Sequence, residues 1–563
     1  MSPPFAGGKT HDAGDKFVPA SLARSLSRLR LEFGEAAALV TRRFLAGPQG
    51  EVEAALAYLD GLADKRLINE HVMKSTMIDA TSAPQGGGNC RRGALRPADV
   101  AQEVLERLLS AAEAETTREW AKVIDAVTVG DAVLFFDGVP RAIVVAAPGW
   151  PQRPVIEPPT ESVVRGPRDG FVETIRVNET LIRRRIKDPR LRFDQFEIGR
   201  LTKTKVSVGY IEGVADPDVV DEVRGRLSGI DVDSILESGY LEEYIQDSTW
   251  SLFPQVLRTE RPDTVAANLL EGRVAVFTDN TPFVIVLPAT FSMFLSSPED
   301  YYERFPIGAL IRNLRYIAFV IALVLPGLYI AITTFHQELL PTDLILAIAS
   351  ARQGVPFPAL VEALLLEVLF EVLREAGVRL PRVIGQAVSI VGALVVGEAA
   401  VSAGLVSPAM VIVVAMTAIA SFATPVFSVA ISARILRFVF MLAASAVGLF
   451  GIQVVALLLL LHLVSLRSFG VPYLSPITPY RRSDLVKDVI LRAPMWAMRT
   501  RPKAVSRENP VRQGPTTLRA SDRGRQGTPP DGRSRKPAVD RRTERQAGDG
   551  DLRGGPGRGD EGP

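Results

Sequence analysis

Apolar and polar residues follow two rhythms along this chain. Up to about residue 300 the apolar positions come in short runs broken by charges and turn residues, as in a water-soluble domain. Beyond it they merge into stretches long enough to cross a bilayer. In the first regime, PADVAQEVLERLLSAAEAET (97–116) has helical spacing with its glutamates on the wet side. DAVLFFDGVPRAIVVA (131–146) predicts two strands around an Asp137-Gly138 turn. SVVRGPRDGFVE (162–173) and LTKTKVSVGYIEGV (201–214) predict further strands, and PDVVDEVRGRLSGIDVDSILESGYLEEYIQD (217–247) predicts two short helices. Residues 1–20 and the loop 82–97 are rich in Gly and Pro and read as loose. The Pro-rich GWPQRPVIEPP (149–159) divides the region into subdomains 21–150 and 151–310.

The second regime predicts a membrane domain over 311–466. Its expected spans are about 316–335, 383–404, 408–433 and 438–466, each uncharged or nearly so. Between the first two, VEALLLEVLFEVLREAG (361–377) mixes Leu, Val and Phe with four glutamates. Glu367, Glu371 and Glu375 recur every four residues, with Glu362 ~140° away from Glu367 on the helical wheel. The expectation is an amphipathic, non-crossing helix over 357–377 that keeps its glutamates in water. Arg312 and Arg315 before the first span and the basic tail after the last argue for one cytosolic side, hence four crossings. Arg434 and Arg437 then fall outside, which strains that count. Residues 467–502 read as a cytosolic juxtamembrane segment and 503–563 as a disordered basic tail. The expected fold class is an α+β soluble N-terminal region, an all-α polytopic membrane domain and a disordered C-terminal tail.

Composition narrows the chemistry. The 563 residues carry a net charge of +2, and from Arg499 onward 16 Lys/Arg face 9 Asp/Glu. Mean hydropathy is positive, +0.16, in spite of that polar tail. One cysteine (Cys90) and four scattered histidines predict neither a disulfide framework nor a metal site. The first residues lack an apolar core, so no cleavable signal peptide is expected. GPRDG (166–170) lacks phosphate-loop spacing, and HExxH and GxSxG do not occur; an enzyme, a cofactor and nucleic-acid binding are not expected.

Candidate functional residues fall into four sets. Thr417, Ser421, Thr424, Ser428 and Ser432 recur at spacings of 4, 3, 4 and 4 and place hydroxyls on one side of the third expected span. Such a face suits a hydrated pore wall, and equally suits close helix packing. Glu398, Glu367 and Glu371 could line a vestibule that concentrates cations. Gly385, Ser389 and Gly392 form a small-residue packing face. Arg165, Arg168, Arg184, Glu260, Arg261 and Asp263 suit either a subunit interface or ion pairs within a domain.

Several long blocks share one resemblance. ESVVRGPRDGFVETIRVNETLIRRRI (161–186), FPQVLRTERPDTVAANLLEGRVAV (253–276) and SSPEDYYERF (296–305) lie in the soluble region. REAGVRLPRVIGQAVSIVGALVVGEAAVSAGLVSPAMVIVVAMTAIASF (374–422) and SFGVPYLSPITP (468–479) lie in and after the apolar region. With them, residues 120–502 resemble the GerA family of spore germination proteins, the A subunits of nutrient germinant receptors and the related SpoVAF proteins. Residues 1–120 and the tail carry no such likeness. The resemblance implies a multi-pass protein of the bacterial spore inner membrane with both termini cytosolic. It implies a homo-oligomer working with a transporter-like B subunit and a lipoprotein C subunit, and forming a nutrient-gated ion channel that begins germination. A non-conducting scaffold or transporter subunit, and a SpoVAF-like accessory linked to small-molecule release, are the alternatives.

Overall fold

The computed structural model of the chain describes residues 16–34, 39–46, 52–77, 96–109, 114–149, 158, 161, 163–379, 397–506 and 509–513. The N-terminal α+β region is built twice on one plan. Helix α1 (Leu22–Phe33) leads into strands β1 (Leu39–Ala46) and β2 (Val52–Leu59). Then come α2 (Pro97–Leu109), β3 (Ala114–Thr117), α3 (Trp120–Val129), β4 (Ala132–Phe136) and β5 (Ala142–Val145). These strands pair antiparallel in the order β1-β2-β4-β5-β3. The second copy begins at α4 (Ile175–Arg185), followed by β6 (Leu191–Ile198), β7 (Thr204–Ile211), α5 (Pro217–Ser228) and α6 (Ser238–Ile245). It closes with β8 (Leu257–Thr259), α7 (Pro262–Leu270), β9 (Val274–Thr278) and β10 (Val284–Leu287). Its order, β6-β7-β9-β10-β8, is the same permutation.

Both faces of each sheet are covered, which is why β4, β9 and β10 are buried throughout rather than alternating. Val274 and Val276 of β9 face α5 and α6, while Ala275 and Phe277 face α4 and α7. Of the helix expected over 97–116, Pro97–Leu109 is helical, whereas Ala114–Thr117 is a strand at the sheet edge. Residues 163–173 form no strand. Gly166 turns there at φ +143°, and the Arg261 guanidinium holds the Pro167 carbonyl at 2.9 Å.

Among the described residues, six helices of eleven residues or more follow: α8 (Phe305–Phe335), α9 (Thr342–Arg352), α10 (Ala359–Arg379), α11 (Pro408–Phe422), α12 (Phe427–Val447) and α13 (Leu449–Ser465). Among the described residues α8 and α12 are long and apolar enough to cross a membrane, while α11 and α13 are apolar but shorter. The stretch expected as one span over 408–433 is two helices, broken at Thr424–Val426. Pro425 has no N–H to give and disfavours helical geometry at the residue before it. The span expected over 438–466 likewise turns back at Gly448, φ +67°. Of the span expected over 383–404, residues 383–396 lie outside the described residues.

Contacts fix the helix directions. Arg437 meets Ala322, Gly327 meets Phe440, and Gly448 meets Phe335, so α8 and α12 run parallel. Glu367 pairs with Arg437 and Glu371 with Arg434, so α10 runs against α12. The helix expected to flank the bundle packs against α8, α11 and α12 with Glu362 and Glu367 turned inward, while Val361, Leu365, Val368 and Val372 are exposed. One apolar core runs from Phe193, Phe277 and Val286 of the second sheet through Phe294, Phe319 and Tyr473 to Val414, Phe440 and Ala444 of the helices. The second soluble subdomain and the bundle thus share their interior.

Candidate functional site

Five consecutive residues between the second sheet and α8 hold four separate parts of the chain. In a one-turn helix, Glu299 accepts the Val164 N–H at 2.5 Å. Asp300, 1% exposed, accepts from Arg312 Nε at 3.0 Å and from Arg315 at 2.6 Å, both on α8. The Tyr301 hydroxyl donates to Asp488 at 2.7 Å, in the segment that follows the bundle. The Tyr302 hydroxyl donates to Asp263 Oδ2 at 2.6 Å, at the start of α7. Glu303 lies 3.7 Å from Arg165. Arg312 closes the circuit by reaching Asp488 Oδ1 at 3.0 Å as well as Asp300.

The local sequence explains the closeness. Gly308 lets the first turn of α8 lie on the Asp300 backbone; a Cβ there would stand 2.5 Å from the Asp300 carbonyl oxygen. Asp263 is already paired with Arg261 at 2.8 Å, and both side chains are buried. Burial, reinforced by the Asp263 hydrogen bond, raises the Tyr302 hydroxyl above its ordinary range and keeps it a donor. Nearby, burial pushes the Glu161 carboxyl up to about 7, against the downward pull of Thr259 and Arg261. A cavity of about 550 Å³ opens between α7, residues 292–302 and the C-terminal segment.

Further along the bundle lies a ladder of charges. Glu362 pairs with Arg352 at 3.0 Å and accepts the Ser407 N–H at 2.9 Å. Glu367 pairs with Arg437 at 2.5 Å, and Glu371 with Arg434 at 3.0 Å and Arg374 at 3.1 Å. Removing these charges from water costs several kcal/mol per ion, which only close pairing offsets.

A family profile described as "Bacillus/Clostridium GerA spore germination protein" matches residues 27–504. Spore germination protein KA of Bacillus subtilis (strain 168) is 47% identical over 497 residues, covering 88% of this chain and 89% of that protein. The chain belongs to the GerA family of spore germination proteins. An uncharacterized membrane protein of the same strain, YfkQ, is 46% identical over 88% of this chain and 94% of its own length. The crystal structure of the N-terminal domain of the A subunit of the Bacillus megaterium spore germinant receptor GerK3 shares 34% identity over 49% of this chain and 97% of that one. Its TM-score, 0.38, is too low to bear on the arrangement of the subdomains. The GerA match begins at residue 27, well before the resemblance read from the sequence. It takes in the first subdomain, whose plan repeats the second.

Several residues singled out from the GerA sequence sit differently from expectation. Thr417, Ser421, Thr424 and Ser432 are buried within one chain and Ser428 is half-buried. Thr417 and Ser421 give their hydroxyls to the carbonyls of Val413 and Ala418, each at 2.7 Å. They are split between two helices and their connection, so they form no continuous stripe. Glu367 is buried in an ion pair rather than wetted, Glu371 is half-buried, and Glu398 is exposed. Gly385, Ser389 and Gly392 lie outside the described residues. Glu260, Arg261 and Asp263 are buried within the chain, and Arg261 and Asp263 pair with each other rather than across a subunit interface. Arg165 is exposed beside Glu303, and Arg168 and Arg184 also have partners within the chain. Asp300, Tyr301, Tyr302, Arg312, Arg315 and Asp488 were not recognisable as one site. Asp300, Tyr301 and Tyr302 lie in the SSPEDYYERF block and Arg312 and Arg315 at the start of a long apolar run, but nothing in the sequence connects them to Asp488.

Proposed function

We propose that this chain is the A-type subunit of a nutrient germinant receptor and the element that passes a nutrient signal to an ion path through the spore inner membrane. In this reading it oligomerises, works with a transporter-like B subunit and a lipoprotein C subunit, and keeps both termini in the cytosol. What carries the proposal is membership of a spore germination family together with the shared core and the 299–303 junction, which tie the second soluble subdomain to α8. The polar route through the bundle is the ladder Glu362, Glu367 and Glu371 with its arginines, opened when those pairs exchange or part.

Burial of Thr417 and Ser432 favours a second reading, a non-conducting scaffold, because the hydroxyls are not free to line a passage between copies. Co-reconstitution with the B and C subunits in vesicles, followed by cation efflux on addition of nutrient, separates the two. Efflux that requires this subunit supports the channel reading. A fully assembled complex that stays silent supports the scaffold.

A further inference from the structure

The connection between α6 and β8 is braced from every side. Gln255, fully buried, donates through its side-chain amide to the Ser248 carbonyl at 2.6 Å and accepts the Ser248 N–H at 2.9 Å. Asp247 accepts the Phe469 N–H at 2.7 Å, and Ser468 Oγ donates to the Gln255 carbonyl at 2.7 Å. From the bundle, His462 of α13 lies 3.0 Å from Ser251 Oγ, and Ser432 of α12 donates to the Leu252 carbonyl. At the tip of this fixed loop stands Trp250, 96% exposed.

Such bracing places the tip at a defined height. Ser432 lies in the second turn of α12 and His462 in the last turn of α13, and the Gly448 reversal brings those two turns to the same end of the bundle. The helix surface there is apolar and open: Phe427, Ile431, Leu461 and Val464 are all exposed. No charge occurs between Ser248 and Leu257, so the tip presents hydroxyls, an indole and Leu252. Indole rings, apolar in body with one N–H donor, settle where hydrocarbon meets headgroups.

We propose that Trp250 is a bilayer anchor, inserted at the level of the phospholipid headgroups and acyl carbonyls, which holds the second soluble subdomain against the membrane surface. The partner is lipid rather than a second protein copy, because the loop is continuous with the exposed apolar faces of α12 and α13. The inference rests on the bundle's lying in a bilayer, and the test reads that condition separately.

The full chain and its Trp250→Phe variant are reconstituted in phosphatidylcholine and phosphatidylglycerol vesicles. Flotation reports whether the bundle has entered the bilayer. The difference in tryptophan emission between the two proteins isolates Trp250. With lipids brominated high on the acyl chain, that difference should fall roughly two-fold and ignore iodide in the water, as for an interfacial indole. In floated vesicles, a Trp250 signal quenched by iodide and not by bromolipid overturns the proposal. A signal indifferent to both also overturns it, since the ring would then be covered by a second copy.

Discussion

Arg437 of α12 and Glu367 of α10 form a 2.5 Å ion pair in which each side chain is 2% exposed. The same guanidinium gives its Nε to the Ala322 carbonyl of α8 at 2.7 Å, so one side chain ties three helices together. A donor of the α8 carbonyl and a partner of the α10 carboxylate cannot leave one without disturbing the other.

Removing one member of that pair strands the other in an apolar interior. Arg437→Met should cost about 3–5 kcal/mol. Adding Glu367→Met should recover most of that loss, because replacing both charges with apolar groups of similar size is often neutral. Thermal unfolding of the detergent-purified single and double variants checks both expectations. A double variant no more stable than the single one would show that the pair is not the reason Glu367 is tolerated there.

Gly308 makes its own prediction. With a Cβ placed 2.5 Å from the Asp300 carbonyl, Gly308→Ala must push the first turn of α8 away from the junction. The expected loss is about 1–3 kcal/mol, typical of overpacking. It should appear as faster hydrogen exchange confined to residues 299–315. Exchange unchanged there would mean that α8 does not rest on Asp300 as described.

Glu161 supplies a pH dependence. Its carboxyl stands at about 7 in the folded chain against an ordinary 4.5. A carboxyl raised on folding favours the folded state most when protonated. Its contribution is complete below 4.5 and lost as pH rises through about 7. Glu161→Gln, which stays neutral, should therefore melt higher than the parent above that upper value and at a similar temperature near the lower one. Equal melting temperatures at both ends would remove Glu161 from the account.

Much of the soluble fold was readable from local rules. The Asp137-Gly138 turn between two apolar runs marks β4 and β5, and Asp216-Pro217 marks the start of α5. The break at Pro425 sits inside an uncharged run that reads as a single span, so the sequence alone does not place it. What local rules cannot give is pairing at a distance. Glu367 and Arg437 are 70 residues apart, and Arg312 and Asp488 are 176 apart. Read singly, the glutamates of α10 look like a wet face. Only the packing of α10 against α12 shows that Glu367 and Glu371, four residues apart, meet Arg437 and Arg434, three apart. The duplication of the first subdomain was hidden for a similar reason: it lies in strand order, not in a shared motif.

In the proposed function a signal reaches the helix bundle through Asp300 and its two arginines. Nutrient-triggered cation efflux from vesicles holding the complete receptor, with either the parent chain or Asp300→Asn, reads that step. The variant should assemble with its partners yet lose most of the triggered efflux, because a neutral side chain no longer holds Arg312 and Arg315 to the soluble subdomain. Efflux from an assembled Asp300→Asn receptor equal to that of the parent would contradict the account.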